Sequence, residues 1–250
     1  MDDEDITEIV KRAPILDALR DEPCGANELE ERLSFSRSTI HRATNSLADQ
    51  GLIEKRDGKF ELTSFGRIVG GRLADCRRDL DTADRLAPFL EAVEPGAEIP
   101  LGRFADATVT RPRAGQAHFA VKRLSDLMAE SGSLRAFSAV VSPIYVDICC
   151  REARDGADVR AIFDRQVVDI LFDEYASEAR EAIDAGDLEV LIHDDCPFEL
   201  FLFDDRMGMT AHDEDGNGTL FVETDDPDAY EWAESLFREY ESEAEFATVF

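Results

Sequence analysis

Arg37, Arg42, Lys55, Arg56, Lys59 and Arg67 stand between Phe35 and Arg67 with only four acids, Asp49, Glu54, Asp57 and Glu61. That stretch is net +2 in a chain of formal net charge -29, so the remainder carries -31. Cationic side chains interleaved with Ser, Thr, His and Asn are the types that hold phosphates and reach base edges. Other candidate chemistry is thinner. "HDDCP" (193–197) puts an imidazole, two carboxylates and a thiol in one loop, which reads as a solvated acidic loop ahead of a metal site. "DEDGNG" (213–218) matches the first positions of a calcium-binding loop, but Thr224 stands where the closing Glu is needed, so it reads as a hairpin turn. Cys149 and Cys150 read as small core residues. No phosphate-binding loop, dinucleotide fingerprint or G-x-S-x-G motif occurs, and no cofactor is expected.

The composition bounds what can position these groups. With 250 residues, 44% of them apolar, the chain can bury a sizeable core and is expected to fold as two domains. Asp and Glu number 56, and of 27 basic residues only Lys11, Lys55, Lys59 and Lys122 are lysine. This balance resembles that of proteins from salt-loving archaea, and acidity of that origin does not exclude DNA as a partner. Five cysteines without a C-x-x-C pair read as reduced thiols. The opening "MDDEDITEIV" is acidic where a signal peptide would be basic, and no apolar run approaches the ~18 residues of a membrane span. A cytoplasmic protein without membrane contact is expected.

In the first ninety residues Pro14 suits the first turn of a helix with Ile15, Leu16 and Leu19 on one face. "ANELEERL" opens a second helix, and Ser36 is placed to cap a third that Gly51 stops. In the third, Ile40, Ala43 and Leu47 share the inward face, leaving Arg37, Ser38, Thr39, His41, Arg42 and Asn45 on the other. "LIEKR", "DG" and "KFELT" then predict two short strands around a tight hairpin. Residues 64–93 read as a helix interrupted or bent at Gly70-Gly71, with Ile68, Leu73, Leu80, Leu86 and Leu90 roughly in phase. It suits either pairing across a dimer or internal packing. Beyond "EPGAEIP", strands alternate with helices through "LRAFSAVVSP", "IYVDICCREARDGA", "DVRAIFD", "VVDILFDEYASEAREAIDAG" and "LEVLIH". "FELFLFDD", "RMGMTAH" and "TLFVET" follow as strands, and "PDAYEWAESLFREYESEA" as a closing helix. A largely parallel sheet with antiparallel additions is predicted.

The stretch "ELEERLSFSRSTIHRATNSLADQGLIEKRDGKFELTSFGR" resembles the winged helix-turn-helix of bacterial and archaeal transcription regulators. The resemblance implies that Arg37, Ser38, Thr39, His41 and Arg42 face bases or phosphates, and that Lys55, Arg56 and Lys59 on the wing touch the backbone or minor groove; Ser36 and Asn45 complete the expected DNA-binding set. Residues 97–245, in phrases such as "VVSP", "ICCREARDGADVRAIFD" and "FELFLFDD", resemble the effector domain of archaeal TrmB-like and methanogenesis-regulatory-protein-like regulators. That domain is similar to one half of a phospholipase D fold. None of His41, His118, His193 or His212 is followed two residues on by Lys, so phospholipase D catalysis is not expected. The expected fold is therefore an α+β winged helix-turn-helix domain (1–66), a linker or dimerisation helix (67–96) and an α/β half phospholipase D-like effector-sensing domain (97–250). The expected function is that of a homodimeric, promoter-binding regulator of double-stranded DNA, under small-molecule control. The alternatives are an architectural DNA-binding or protein-interaction protein without effector, or a divergent phosphodiesterase. A ligand would meet Ser142, Asp164, His193 and Asp194 at the carboxyl ends of the strands, a placement from topology alone.

Overall fold

The computed structural model describes residues 2–93, 96–112, 119–140, 143–174, 183, 188–213 and 218–247. The chain divides into two compact units, Met1–Asp81 and Thr82–Phe250.

The first unit begins with a helix that the sequence reading passed over. Asp2 and Asp5 form a reciprocal capping box, and α1 (Asp3–Lys11) follows with three acids in its first turn and Ile9 buried. Capping and a single inward apolar position suffice, because carboxylates at a helix N-terminus meet the positive end of its dipole. Then come α2 (Ala13–Asp21), with Pro14 in its first turn, α3 (Ala26–Leu33) and α4 (Arg37–Asp49). A two-stranded antiparallel hairpin follows, β1 (Ile53–Arg56) and β2 (Lys59–Leu62), in register from Ile53↔Leu62 to Arg56↔Lys59. Its two-residue turn holds Asp57 and Gly58 at φ 49° and 84°, the doubly left-handed backbone that matches the twist of the strands. Ile15, Leu16, Leu29, Ile40, Leu47 and Leu52 are fully enclosed and form the core of this unit.

The hairpin closes on α5 (Ser64–Ala92), which runs unbroken through Gly70-Gly71. Gly66 is required at its start, where a Cβ would lie 1.8 Å from the Leu52 carbonyl oxygen. The five apolar residues expected in phase do not share one environment. Leu86 is buried, Leu73 and Leu90 are half-buried, and Ile68 and Leu80 are 67% and 63% exposed.

In the second unit, a 3₁₀ turn (Leu101–Phe104) and β3 (Thr108–Thr110) lead to α6 (Phe119–Met128), β4 (Ser133–Ser138), α7 (Pro143–Arg154), β5 (Asp158–Phe163), α8 (Arg165–Glu174) and β6 (Leu188–Ile192). The chain continues with β7 (Glu199–Leu202), β8 (Met207–His212), β9 (Gly218–Thr224), α9 (Pro227–Glu243) and β10 (Glu245–Phe246). One sheet holds them in the order β10-β6-β5-β4-β7-β8-β9-β3. Only β4–β5 and β5–β6 pair in parallel; the other described pairings are antiparallel. The expectation of a largely parallel sheet is thus corrected. Only four residues separate β7 from β8, too few for the crossover that a parallel pair needs. The ends of "DEDGNG", Asp213 and Gly218, adjoin antiparallel strands, while residues 214–217 lie outside the described ones.

Side chains alternate across the sheet into two cores. Ala136, Val159, Val190, Phe201 and Phe221 pack with residues of α6, α7 and α8 on one face. Phe137, Ile162, Leu200, Met209 and Val222 pack on the other with the end of α5, Phe104 and α9. Polar clamps fix α9 as well: Arg135 meets Glu234 at 3.1 Å, and the Tyr230 hydroxyl donates to the Phe203 carbonyl at 2.7 Å.

Candidate nucleic-acid interface

Helix α3 ends in a left-handed residue, Ser34 (φ 54°), so the chain turns sharply before the next helix begins. Ser36 then caps α4, its Oγ accepting the Thr39 N–H at 3.2 Å. Its hydroxyl also lies 3.0 Å from that of Ser38 and 2.8 Å from that of Thr39. These three residues, all expected to contact DNA, are thus first of all a local hydroxyl network that fixes the helix start. Thr39 is half-buried.

The buried side of α4 carries Ile40, Ala43, Thr44 and Leu47, and the Thr44 hydroxyl donates back to the Ile40 carbonyl at 2.9 Å. The exposed side carries Arg37, Ser38, His41, Arg42 and Asn45. Arg42 Nε donates to the Ser38 carbonyl at 3.3 Å, and Asn45 Nδ2 lies 3.3 Å from His41 Nδ1. Neither Arg37 nor Arg42 forms an ion pair among the described residues.

The hairpin behaves differently. Lys55, Arg56 and Lys59 are exposed, but Arg56 bridges Glu54 and Glu61 at 2.9 Å each. Lys59 lies 3.6 Å from Glu28 of α3, and the Lys55 ammonium sits 5.4 Å above the Phe60 ring. Carboxylates on and beside the hairpin therefore partner Arg56 and Lys59, while Lys55 rests over an aromatic ring. A bridge that sequence reasoning missed anchors the hairpin: Cys24 and Phe60 exchange backbone hydrogen bonds at 3.1 and 2.8 Å, joining β2 to the α2–α3 connection. An isolated bridge has no periodicity that a sequence could reveal.

Of the residues expected to meet a ligand, Ser142 lies outside the described ones. The structure brings the other three together at the carboxyl ends of β5 and β6. Asp164 is committed to the loop, accepting the Cys196 N–H at 3.2 Å. His193 packs on Tyr240 at 4.7 Å, with Nε2 3.5 Å from Glu243, and Asp194 is exposed, 4.0 Å from Arg165.

Sequence reasoning missed Glu199, whose carboxyl is buried at 1% exposure. One oxygen accepts the Ser138 hydroxyl at 2.7 Å, and the other has no hydrogen-bond partner among the described residues, with His212 Nδ1 3.9 Å away. Burial pushes this carboxyl up to about 8, holding it protonated at neutral pH, and pushes the His212 imidazole down. Burial also raises Cys149 to about 12 and lifts Cys196 from its ordinary value, so neither is a thiolate poised to react. No cluster of metal-ligating residues occurs among the described residues, and no helix there is long and apolar enough to cross a membrane.

Residues 117–243 match the family model described as the middle domain of the methanogenesis regulatory protein FilR1, and residues 1–85 match the HVO_A0261 N-terminal domain. No curated protein matches the sequence. Among solved structures the chain is similar to TrmBL2, described as an archaeal chromatin protein with a novel mode of DNA binding. The identity is 15%, over 95% of this chain and 93% of that one, with a TM-score of 0.47. It is also similar to Nuc from Salmonella typhimurium, a phospholipase D family member. Here the identity is 13%, over 57% of this chain and 98% of that one, with a TM-score of 0.44. Both scores fall below 0.5.

Proposed function

The chain belongs to the family of the methanogenesis regulatory protein FilR1, and from that premise we propose that it is a transcription regulator that binds promoter DNA as a homodimer. Residues 1–66 act as a winged helix-turn-helix, with α4 entering the major groove and the β1–β2 hairpin as the wing. The observation that carries this reading is the exposed face of α4. Two arginines without ion pairs among the described residues stand there beside Ser38, His41 and Asn45, on a helix braced from behind by a buried apolar face. In molar salt the Debye length falls to ~3 Å, so close contacts of this kind outweigh long-range steering.

Residues 67–96 serve as linker and dimerisation helix. Phe65, Ile68, Cys76 and Leu80 are exposed and fall, with Arg72, within a stripe about 120° wide on α5. Residues 97–250 form the half phospholipase D-like sensing domain, and a small molecule bound near Asp164, His193 and Asp194 adjusts DNA affinity by its preference for one arrangement of the dimer. Five free cysteines support a reducing, cytoplasmic setting.

Footprinting on promoter DNA at high KCl tests the central claim. Arg37→Ala with Arg42→Ala should abolish a discrete protected site while leaving the helical circular dichroism intact; unchanged protection would refute it. Sequence-independent binding with a steep salt dependence would instead favour the architectural alternative.

A further inference from the structure

On the α9 side of the sheet, at the carboxyl end of β6, lies a cavity of about 570 Å³ lined by residues 96–98, Asp195, Pro197, Phe198, Trp232, Leu236, Glu239 and Tyr240. Its volume falls in the range of small-molecule sites, ~300–1,000 Å³. Three aromatic rings line it, and each is fixed by other rings. Tyr240 stacks on Phe137 at 4.8 Å and packs against His193 at 4.7 Å. Trp232 meets Phe104 edge-on at 5.5 Å, and Phe198 meets Phe89 and Phe137 at 5.6 and 5.3 Å. Rings held in this way lose little freedom when a ligand arrives. Among the described residues the charged groups of the lining are Glu98, Asp195 and Glu239, with no Lys, Arg or His.

Acidity alone would mean little in a chain with 56 Asp and Glu. The combination with a rigid aromatic lining is what selects a ligand. A hydrated metal ion gains nothing from indole and phenol rings, and a neutral aromatic gains nothing from three carboxylates. A weakly hydrated organic cation gains from both, through ring quadrupoles and through Coulomb attraction. We infer that this cavity is a binding site for a small organic cation of the alkylammonium class. The site adjoins the proposed effector residues through the contact between His193 and Tyr240, and it extends the ligand-control reading by giving the ligand a pocket and a charge.

Trp232 is the only tryptophan in the chain, so its fluorescence reports on this site. The full-length protein would be titrated by replacing KCl with tetramethylammonium chloride at constant chloride, with tert-butyl alcohol as the uncharged shape match. Saturation transfer from protein to the ammonium methyl groups would be recorded by NMR. A saturable fluorescence change with methyl saturation transfer is expected, without a response to the alcohol. Asp195→Asn with Glu239→Gln should weaken apparent affinity about five- to tenfold, with unchanged circular dichroism. A non-saturating response, an equal response to the alcohol, or an affinity untouched by the double variant would overturn the inference. No DNA is present in this titration, so a silent pocket leaves the DNA-binding proposal standing. Saturable binding that leaves promoter affinity unchanged would remove the control reading while supporting the site.

Discussion

Replacing Glu199 by Gln should remove a pH dependence built into the second unit. The carboxyl is fully enclosed and shifted by burial from an ordinary value near 4.5 up to about 8. A carboxyl raised in the fold binds a proton there that it has released in the unfolded chain, so stability is complete below pH 4.5 and declines as pH rises toward 8. Each pH unit inside that window is worth about 1.4 kcal/mol. His212, the other titrating group beside it, is depressed in the fold, so its influence lies below its ordinary value of 6.5. Between pH 6.5 and 8 the carboxyl therefore acts alone in this pair, and wild-type unit 2 should lose about 2 kcal/mol that the Gln variant keeps. Tyr145 and Cys149, raised by burial and by neighbouring charge, titrate above that window. The amide preserves volume and can still accept from the Ser138 hydroxyl. Denaturant unfolding followed by Trp232 fluorescence at constant molar KCl measures the difference directly. Wild-type and variant curves running parallel from pH 6.5 to 8.5 would show that the carboxyl is not held protonated, and the burial argument would fail.

Gly66→Ala should destabilise the first unit by about 1–3 kcal/mol or more, because the new Cβ meets backbone at Leu52 with nothing flexible to move; thermal unfolding followed by helical circular dichroism reads this. Ser36→Ala removes the α4 cap and should cost ~1 kcal/mol in the same assay, while also loosening the presentation of Ser38 and Thr39. Ile68→Glu with Leu80→Glu, on the exposed stripe of α5, should shift the mass in light scattering from dimer to monomer without altering thermal stability of the second unit. Brief alkylation of the Ile68→Glu, Leu80→Glu variant at neutral pH, in which the proposed dimer stripe is uncovered, should label Cys76 first, while Cys149 and Cys196 stay unmodified until the chain is unfolded; peptide mass spectrometry locates the adducts.

What was legible in the sequence was whatever local chemistry enforces. Ser36, Gly51 and Asp57-Gly58 each dictate a backbone state within a few residues, and the α4 cap, its left-handed stop and the hairpin turn stand where they predict. Strands β4 to β9 likewise announce themselves by apolar runs between turn residues. What escaped depends on partners far along the chain. Glu199 sits in an apolar strand whose burial on both sides comes from β4, β8 and the helices above, so its carboxyl reads as a surface group until the sheet is assembled. The cations of the hairpin read as a free basic patch, yet Arg56 takes Glu61 from across the ladder and Lys59 takes Glu28 from another helix. The apolar period read along residues 64–93 is divided by the structure for a further reason: a 29-residue helix meets different surroundings along its length, so one apolar period need not mean one interface.

The carboxylate-paired Arg56 and Lys59 of the hairpin would give the proposed DNA interface an ion-exchange character. In the proposed complex a phosphate arriving at Arg56 or Lys59 would find the position taken by Glu54, Glu61 or Glu28, and the cation released from the DNA would be offset in part by one taken up at the freed carboxylate. The displaced carboxylates remain tethered beside the site and compete at a fixed local concentration that added salt does not change. Affinity contributed by the hairpin would then vary little with ionic strength, leaving Arg37 and Arg42 to set the salt slope. In the proposed complex such a hairpin would keep a stable baseline grip on DNA while the ionic strength around it swings.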